Sequence, residues 1–167
     1  MEDAQWLGQR ASARVRKDSV GCRLEVRGYI DDEADFQSLS EALSFPLRIE
    51  LSGVERINSL GVRRWLRFMA DASSRGPIEL IGCAEVMVDQ FNQINGLVGN
   101  ATVRSVMAPY GCDNCGFDEF VLVELGRWSK TPLMVLVPDR TCTECGGVST
   151  FEHLPESYFS FLEVEPL

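Results

Sequence analysis

The chain reads as an α/β fold: a largely parallel sheet with helices packed on it, followed by a small β-rich segment organised by cysteines. Three observations predict this. Strand-like and helix-like runs alternate between residues 13 and 107. Four of the six cysteines and five of the seven prolines lie after Ala108. The charge also shifts there: residues 109–167 carry ten acids and three bases, residues 1–108 carry 15 acids and 13 bases. The expected organisation is therefore one unit over 1–108 and a second over 109–167, with Pro109-Tyr110-Gly111 as a turn at the boundary.

In chain order, Ala13–Lys17 and Cys22–Ile30 are strand-like and separated by Asp18-Ser19-Val20-Gly21. Cys22, Leu24, Val26 and Ile30 alternate with Arg23, Glu25 and Arg27, so a half-buried hairpin is expected. Phe36–Leu43 reads as a short helix stopped by Pro46. Leu47–Val54 is a strand with Leu47, Ile49 and Leu51 on one side. Ser59–Ser73 is a helix with Val62, Trp65, Leu66, Met69 and Ala70 as its apolar stripe and Arg63, Arg64 and Arg67 opposite. Gly76-Pro77 breaks the chain, and Ile78–Ile81 is the next strand. Glu85–Leu97 is a helix with Val88, Phe91 and Ile94 inward, ended by Gly96 and Gly99. Thr102–Met107 is the last strand of this part. Strands joined through helices imply parallel pairing.

Composition excludes several classes. With 45% apolar residues the chain can bury a core. No window approaches ~18 uninterrupted apolar residues, so no membrane helix is expected. A net charge of −9 opposes binding to a phosphate backbone. The opening MEDAQWLGQR has no apolar leader, which points to the cytoplasm. There, paired cysteines are more often metal ligands than disulfides.

Asn58 or Ser59 is placed to cap the Ser59 helix, because a short side-chain oxygen accepts a first-turn amide proton. The same helix end favours negative charge, so a phosphate on Ser59 would be received by amides and dipole. Both readings, cap and modification site, stand at this point. Arg56, Arg63, Arg64 and Arg67 form either a solvated basic face or a docking surface for an acidic partner. Asp31, Asp32, Glu33 and Asp35 read as a solvated loop, with a divalent-cation site as the alternative. No nucleophile–base pair, Walker motif or dinucleotide fingerprint is visible, and an enzyme is not expected.

Val26-Arg27-Gly28-Tyr29-Ile30-Asp31, followed by Ile49-Glu50-Leu51-Ser52-Gly53-Val54-Glu55-Arg56-Ile57-Asn58-Ser59-Leu60-Gly61, resembles a STAS domain, the fold of bacterial anti-anti-sigma factors. The likeness spans about residues 13–108. It implies a four- or five-stranded sheet with helices mainly on one face, in a non-enzymatic, cytoplasmic bacterial regulator. It also implies a protein partner, an anti-sigma-like kinase or another regulator, that docks near Asn58, Ser59, Arg63, Arg64 and Arg67. In regulatory members the serine matching Ser59 is phosphorylated, and the charge switches docking off. Here Asn58 stands where the family usually has Asp.

Cys112-Asp113-Asn114-Cys115 and Cys142-Thr143-Glu144-Cys145 are two C-x2-C pairs, 26 residues apart. Gly116 and Gly146-Gly147 follow them and allow the positive φ that a metal knuckle needs. Phe120–Leu125 and Leu133–Val137, joined by residues 126–132, read as strands between the knuckles. The arrangement resembles a zinc ribbon. Four thiolates suit Zn2+, fill its shell and leave no position for a reactive water. A redox pair would need a helix behind a C-x2-C, and none is patterned; a four-cysteine iron–sulfur site is the other alternative. Cys22 and Cys83 read as buried packing thiols. His153 reads as structural, since the cysteines already complete the shell. Leu154, Tyr158, Phe161 and Leu162 have helical spacing, which predicts a short C-terminal helix packed on the fold. Two other functions stay open: a scaffold subunit without a switch, and a ribbon contacting nucleic acid or the transcription machinery.

Overall fold

The computed structural model describes residues 5–126 and 137–162. The first sheet has the order β1-β2-β3-β4-β5-β6. Its strands are β1 (Gln5–Trp6), β2 (Ala11–Lys17), β3 (Cys22–Ile30), β4 (Leu47–Ile57), β5 (Ile78–Ile81) and β6 (Thr102–Val103). The first three pair antiparallel. From β3 onward every pairing is parallel. The mixed α/β class and the β2–β3 hairpin are thus as the residue pattern predicts. The sheet has one strand more than the STAS resemblance implies, if the two-residue β1 is counted.

Register places like with like. Leu24 opposes Ile49, and Ile49 opposes Leu80; all three are fully buried. The alternate positions point the other way and carry charge. On that open face Glu25 pairs with Arg27 and Arg14, Glu50 with Arg23, and Glu79 with both Arg48 and Arg104. Opposite charges on neighbouring strands stabilise such a face modestly and keep it water-compatible.

The apolar face is covered by α1 (Ser59–Arg75) and α2 (Glu85–Gln93). The α1 stripe is Val62, Trp65, Phe68, Met69 and Ala72. Phe68 takes the buried place expected for Ala70, which is exposed. Trp65 is fully buried, and its indole N–H donates to the Leu97 carbonyl at 3.1 Å. That bond ties the turn after α2 to α1; α2 itself ends at Gln93, where Ile94 turns to extended backbone, rather than at Leu97.

The helix expected over Phe36–Leu43 reduces to one 3-10 turn, Gln37–Leu39. The reason is competition for backbone groups. Asp35 caps Gln37 and Ser38, while Arg75 takes the carbonyls of Ser40 and Leu43 that a longer helix would use nearby. Phe36 turns inward, stacked on Phe68 with ring centroids 5.0 Å apart.

The second sheet is antiparallel, with order β8-β7-β10-β9. Its strands are β7 (Ser105–Cys112), β8 (Asp118–Glu124), β9 (Arg140–Thr141) and β10 (Val148–Phe151). The predicted strand Thr102–Met107 divides at Arg104, whose N–H reaches back to Leu80 while its carbonyl receives the Leu125 N–H. Pro109-Tyr110-Gly111, expected as a turn, lies inside β7. Pro109 has no N–H to leave unpaired, and its carbonyl accepts from Glu152 at 3.1 Å. The strand expected at Leu133–Val137 falls, apart from Val137, outside the described residues.

The two sheets share one hydrophobic core. Cys83 forms a parallel bridge with Val106. Tyr158, Phe159 and Phe161 of the C-terminal segment, which contains α3 (Pro155–Tyr158), join the same cluster as Phe91 and Leu80. The packing expected for this segment is observed, except that Leu154 is exposed.

Candidate metal centre and docking surface

The four predicted cysteines converge. Their sulfurs all lie within 4.8 Å of one another. Cys112 Sγ is 3.6 Å from Cys145 Sγ, and Cys115 Sγ is 3.8 Å from Cys142 Sγ. Four sulfurs at ~2.3 Å from a tetrahedral ion stand about 3.8 Å apart, so the spacing fits a four-thiolate metal centre.

Local chain geometry produces this convergence twice. In the first knuckle the Gly116 N–H donates to Cys112 O at 2.8 Å, and the Cys112 N–H donates to Phe117 O at 2.9 Å. In the second, Gly146 donates to Cys142 O at 3.0 Å, and Cys142 to Gly147 O at 2.8 Å. Gly116 and Gly146 both sit at φ +72°, a left-handed conformation that side chains resist. β7 delivers the first knuckle and the β9–β10 hairpin the second. Because β10 pairs with β7, Ser149 facing Cys112, the sheet brings the two together.

Two groups support the Cys145 sulfur; a backbone amide there is what a knuckle turn predicts, and the Asn114 side chain went unseen in the sequence pattern. The Asn114 amide donates to Cys145 Sγ at 3.3 Å, and the Gly147 N–H donates to it at 3.4 Å. These donors, with the neighbouring Cys115 thiol, hold the Cys145 thiol down at about 6. At Cys115 the Phe117 backbone favours the thiolate, but the neighbouring sulfur of Cys145, desolvation and the sulfurs of Cys112 and Cys142 together outweigh it and push the thiol up to about 12. Such N–H donors to ligand sulfur commonly tune a metal–thiolate site. An x-Asn inside the knuckle was the available clue.

His153 lies elsewhere. Its Nε2 is 2.6 Å from Glu85 Oε1, and its ring stacks on Tyr158 at 5.3 Å. Cys22 and Cys83 are buried, as expected, and burial pushes the Cys83 thiol far above its ordinary range.

The other candidate residues gather on α1. Asn58 is the cap: its Oδ1 accepts the N–H groups of Leu60 at 3.1 Å and Gly61 at 2.8 Å. Its amide reaches the Tyr29 hydroxyl at 3.2 Å. A methyl group on Gly61 would sit 2.1 Å from the Ile30 carbonyl, so only glycine lets the helix start this close to the end of β3. Ser59 is exposed at the first helical position, next to Leu60, which is 44% exposed. The amides that would receive a phosphate on Ser59 are therefore already taken by Asn58. Arg63, Arg64 and Arg67 project from the same helix and are exposed. Among the described residues they have no hydrogen-bond or ion-pair partner. Arg56 stands apart, over the Tyr29 ring at 5.7 Å. In the acidic loop, Asp31 is buried and accepts the Glu33 N–H at 3.1 Å, the pattern of a closed turn.

Among the described residues no helix is long and apolar enough to cross a membrane. Models of known protein families and curated proteins were both compared with the chain, and neither comparison gives a match.

Proposed function

We propose that this chain is a non-enzymatic regulatory module of the anti-anti-sigma type, working by protein–protein docking in a bacterial cytoplasm, with zinc as the ion of its four-cysteine centre. The observation that carries the reading is the state of α1. Its tip offers an exposed serine and leucine, and its outer face three arginines without partners among the described residues, on a protein of net charge −9. On the open face of the first sheet Arg23, Arg48 and Arg104 are instead spent on neighbouring glutamates. Unpaired charge beside an exposed apolar residue is what a partner surface needs. The Val26–Asp31 and Ile49–Gly61 motifs of the STAS resemblance end together at the start of α1, where Asn58 reaches Tyr29 and Gly61 abuts the Ile30 carbonyl.

Zinc is the ion the donor set favours: soft thiolates, tetrahedral spacing and a closed shell. Cys112, Cys115, Cys142 and Cys145 would hold it, and it would stabilise the second sheet rather than activate water. In this reading Ser59 is a phosphorylation site. With its amides occupied by Asn58, a phosphate there acts through charge alone, setting about −1.5 to −2 units beside Arg63 and cancelling the basic face.

The test compares Ser59→Ala and Ser59→Asp with wild type as affinity baits, with proteins quantified in each capture. The serine variant lacking charge should keep the wild-type partner, and the aspartate variant should lose it. Equal capture by all three overturns the switch.

A further inference from the structure

The arginines of α1 do not face open solvent alone. Arg64 and Arg67, with Arg75, form one wall of a groove of about 640 Å3 whose other wall is residues 34–37 and 40–41. Phe36 and Phe68, 3% and 5% exposed, close its floor. A second hollow, lined by Asp32, Leu60, Arg63, Arg64 and Arg67, continues it toward the α1 tip. Arg64 and Arg67 border both, and the two adjoining hollows, taken together as a channel, run along the helix from Leu60 to Arg75. At 1.5 Å per residue that is about 22 Å. An extended peptide of about seven residues spans this length.

The rigid parts of the channel are identifiable. Arg75 is engaged: its guanidinium donates to Ser40 O at 2.8 Å and Leu43 O at 3.3 Å and lies over the Phe45 ring. It pins the far wall to α1. Asp35 is engaged as the cap of the 3-10 turn. Arg64 and Arg67, in the middle, have no charge or hydrogen-bond partner among the described residues.

We propose that this channel binds an extended acidic segment of the partner protein, with its carboxylates on Arg64 and Arg67 and an apolar side chain on Leu60. The proposal rests on the reading of α1 as a docking surface and names the chemistry of what docks there. Guanidinium groups pair with carboxylates in two-point geometry. The acids Asp32, Asp35, Glu41 and Asp71 also line the channel. Asp35 is spent on the amides of Gln37 and Ser38, and Asp71 stands 3.9 Å from Arg75, which leaves Asp32 and Glu41 against Arg63, Arg64 and Arg67; the same acids repel the unbroken charge of a nucleic-acid backbone. A phosphate on Ser59 would stand at the Leu60 end and repel the same segment.

The test is fluorescence anisotropy on the purified full chain at low salt. The probe is a short labelled peptide, Gly-Glu-Leu-Glu-Glu-Phe-Glu-Gly. Comparators are the same peptide with lysine for glutamate and a labelled oligothymidylate. The wild type should bind the glutamate peptide saturably, and added salt should weaken it. Arg64→Glu/Arg67→Glu should weaken it at least about tenfold, and Arg64→Gln/Arg67→Gln by less, because glutamine removes the attraction without adding repulsion. The charge-matched control Arg16→Glu/Lys17→Glu on β2 should bind like wild type. No saturable binding by wild type, no effect of either Arg64/Arg67 pair, or equal binding of the lysine peptide or oligothymidylate each overturns the proposal. Partner capture that still responds to Ser59→Asp under those outcomes would leave the α1 docking reading standing without the channel; loss of both would remove the two together.

Discussion

Asn92 accepts the backbone N–H of Phe161 on its Oδ1 at 2.8 Å, linking the last turn of α2 to the end of the described chain. The same oxygen receives the Ser160 hydroxyl at 2.9 Å, and the Asn92 amide donates to Tyr158 O at 2.9 Å. One side chain thus satisfies three polar groups of the C-terminal segment. Phe161 then packs on Phe91, ring centroids 5.7 Å apart. The cysteine-bearing half and the α/β half are held by this latch as well as by their common core.

Asn92→Ala should therefore destabilise the fold by about 1–3 kcal/mol, since it orphans a partly buried amide. Chemical denaturation measures the loss. Hydrogen exchange should show it concentrated at residues 158–162, with the β3–β4 pairing unaffected.

The α1 cap makes a smaller, sharper prediction. Asn58→Ala removes the acceptor for the Leu60 and Gly61 amides and should cost about 1 kcal/mol, while Asn58→Asp should keep the cap. Thermal unfolding of the two variants checks the difference.

Trp65 is the largest fully buried side chain of α1, and its indole supports the Leu97 carbonyl. Trp65→Ala should cost about 3–5 kcal/mol. Trp65→Phe should cost less in packing and still leave the Leu97 carbonyl without its donor. Denaturant midpoints of both variants test this order.

The open sheet face predicts acid sensitivity. Hydrogen bonding from Arg104, then Arg48, holds the Glu79 carboxyl below its ordinary 4.5, and Arg27 does the same for Glu25. A folded-state pKa below the unfolded value means that the unfolded chain binds the proton more readily. The contribution is therefore complete above pH 4.5 and is lost as pH falls through the depressed folded value. Glu79→Gln should flatten the stability curve below pH 4.5 relative to wild type, read as melting temperature against pH.

Much of this was legible in the residues. Period-two alternation from Cys22 to Ile30 gives a strand of those limits, and the stripe from Val62 to Met69 gives α1. The two C-x2-C pairs name the four cysteines that converge on a candidate metal centre, because knuckle geometry is local and written in cysteine and glycine spacing. What escaped depended on contacts distant in sequence. Arg75 drawing carbonyls from residues 40 and 43 shortened a helix that the local pattern favoured. Pro109 reads as a turn until Glu152 and Phe120 are known to flank it in a sheet. The channel beside α1 needed residues 34–41 folded against Arg64 and Arg67, a pairing no periodicity encodes. His153 meets Glu85 across 68 residues, with no motif to announce it.

Native mass spectrometry of the freshly purified, reduced protein tests the central claim most directly, that four converging sulfurs grip one ion that completes the second sheet. The account predicts one zinc ion per chain, lost together with β7–β10 protection when any one of Cys112, Cys115, Cys142 or Cys145 is changed to serine. A chain that flies metal-free with four reduced thiols and an intact second sheet would contradict it.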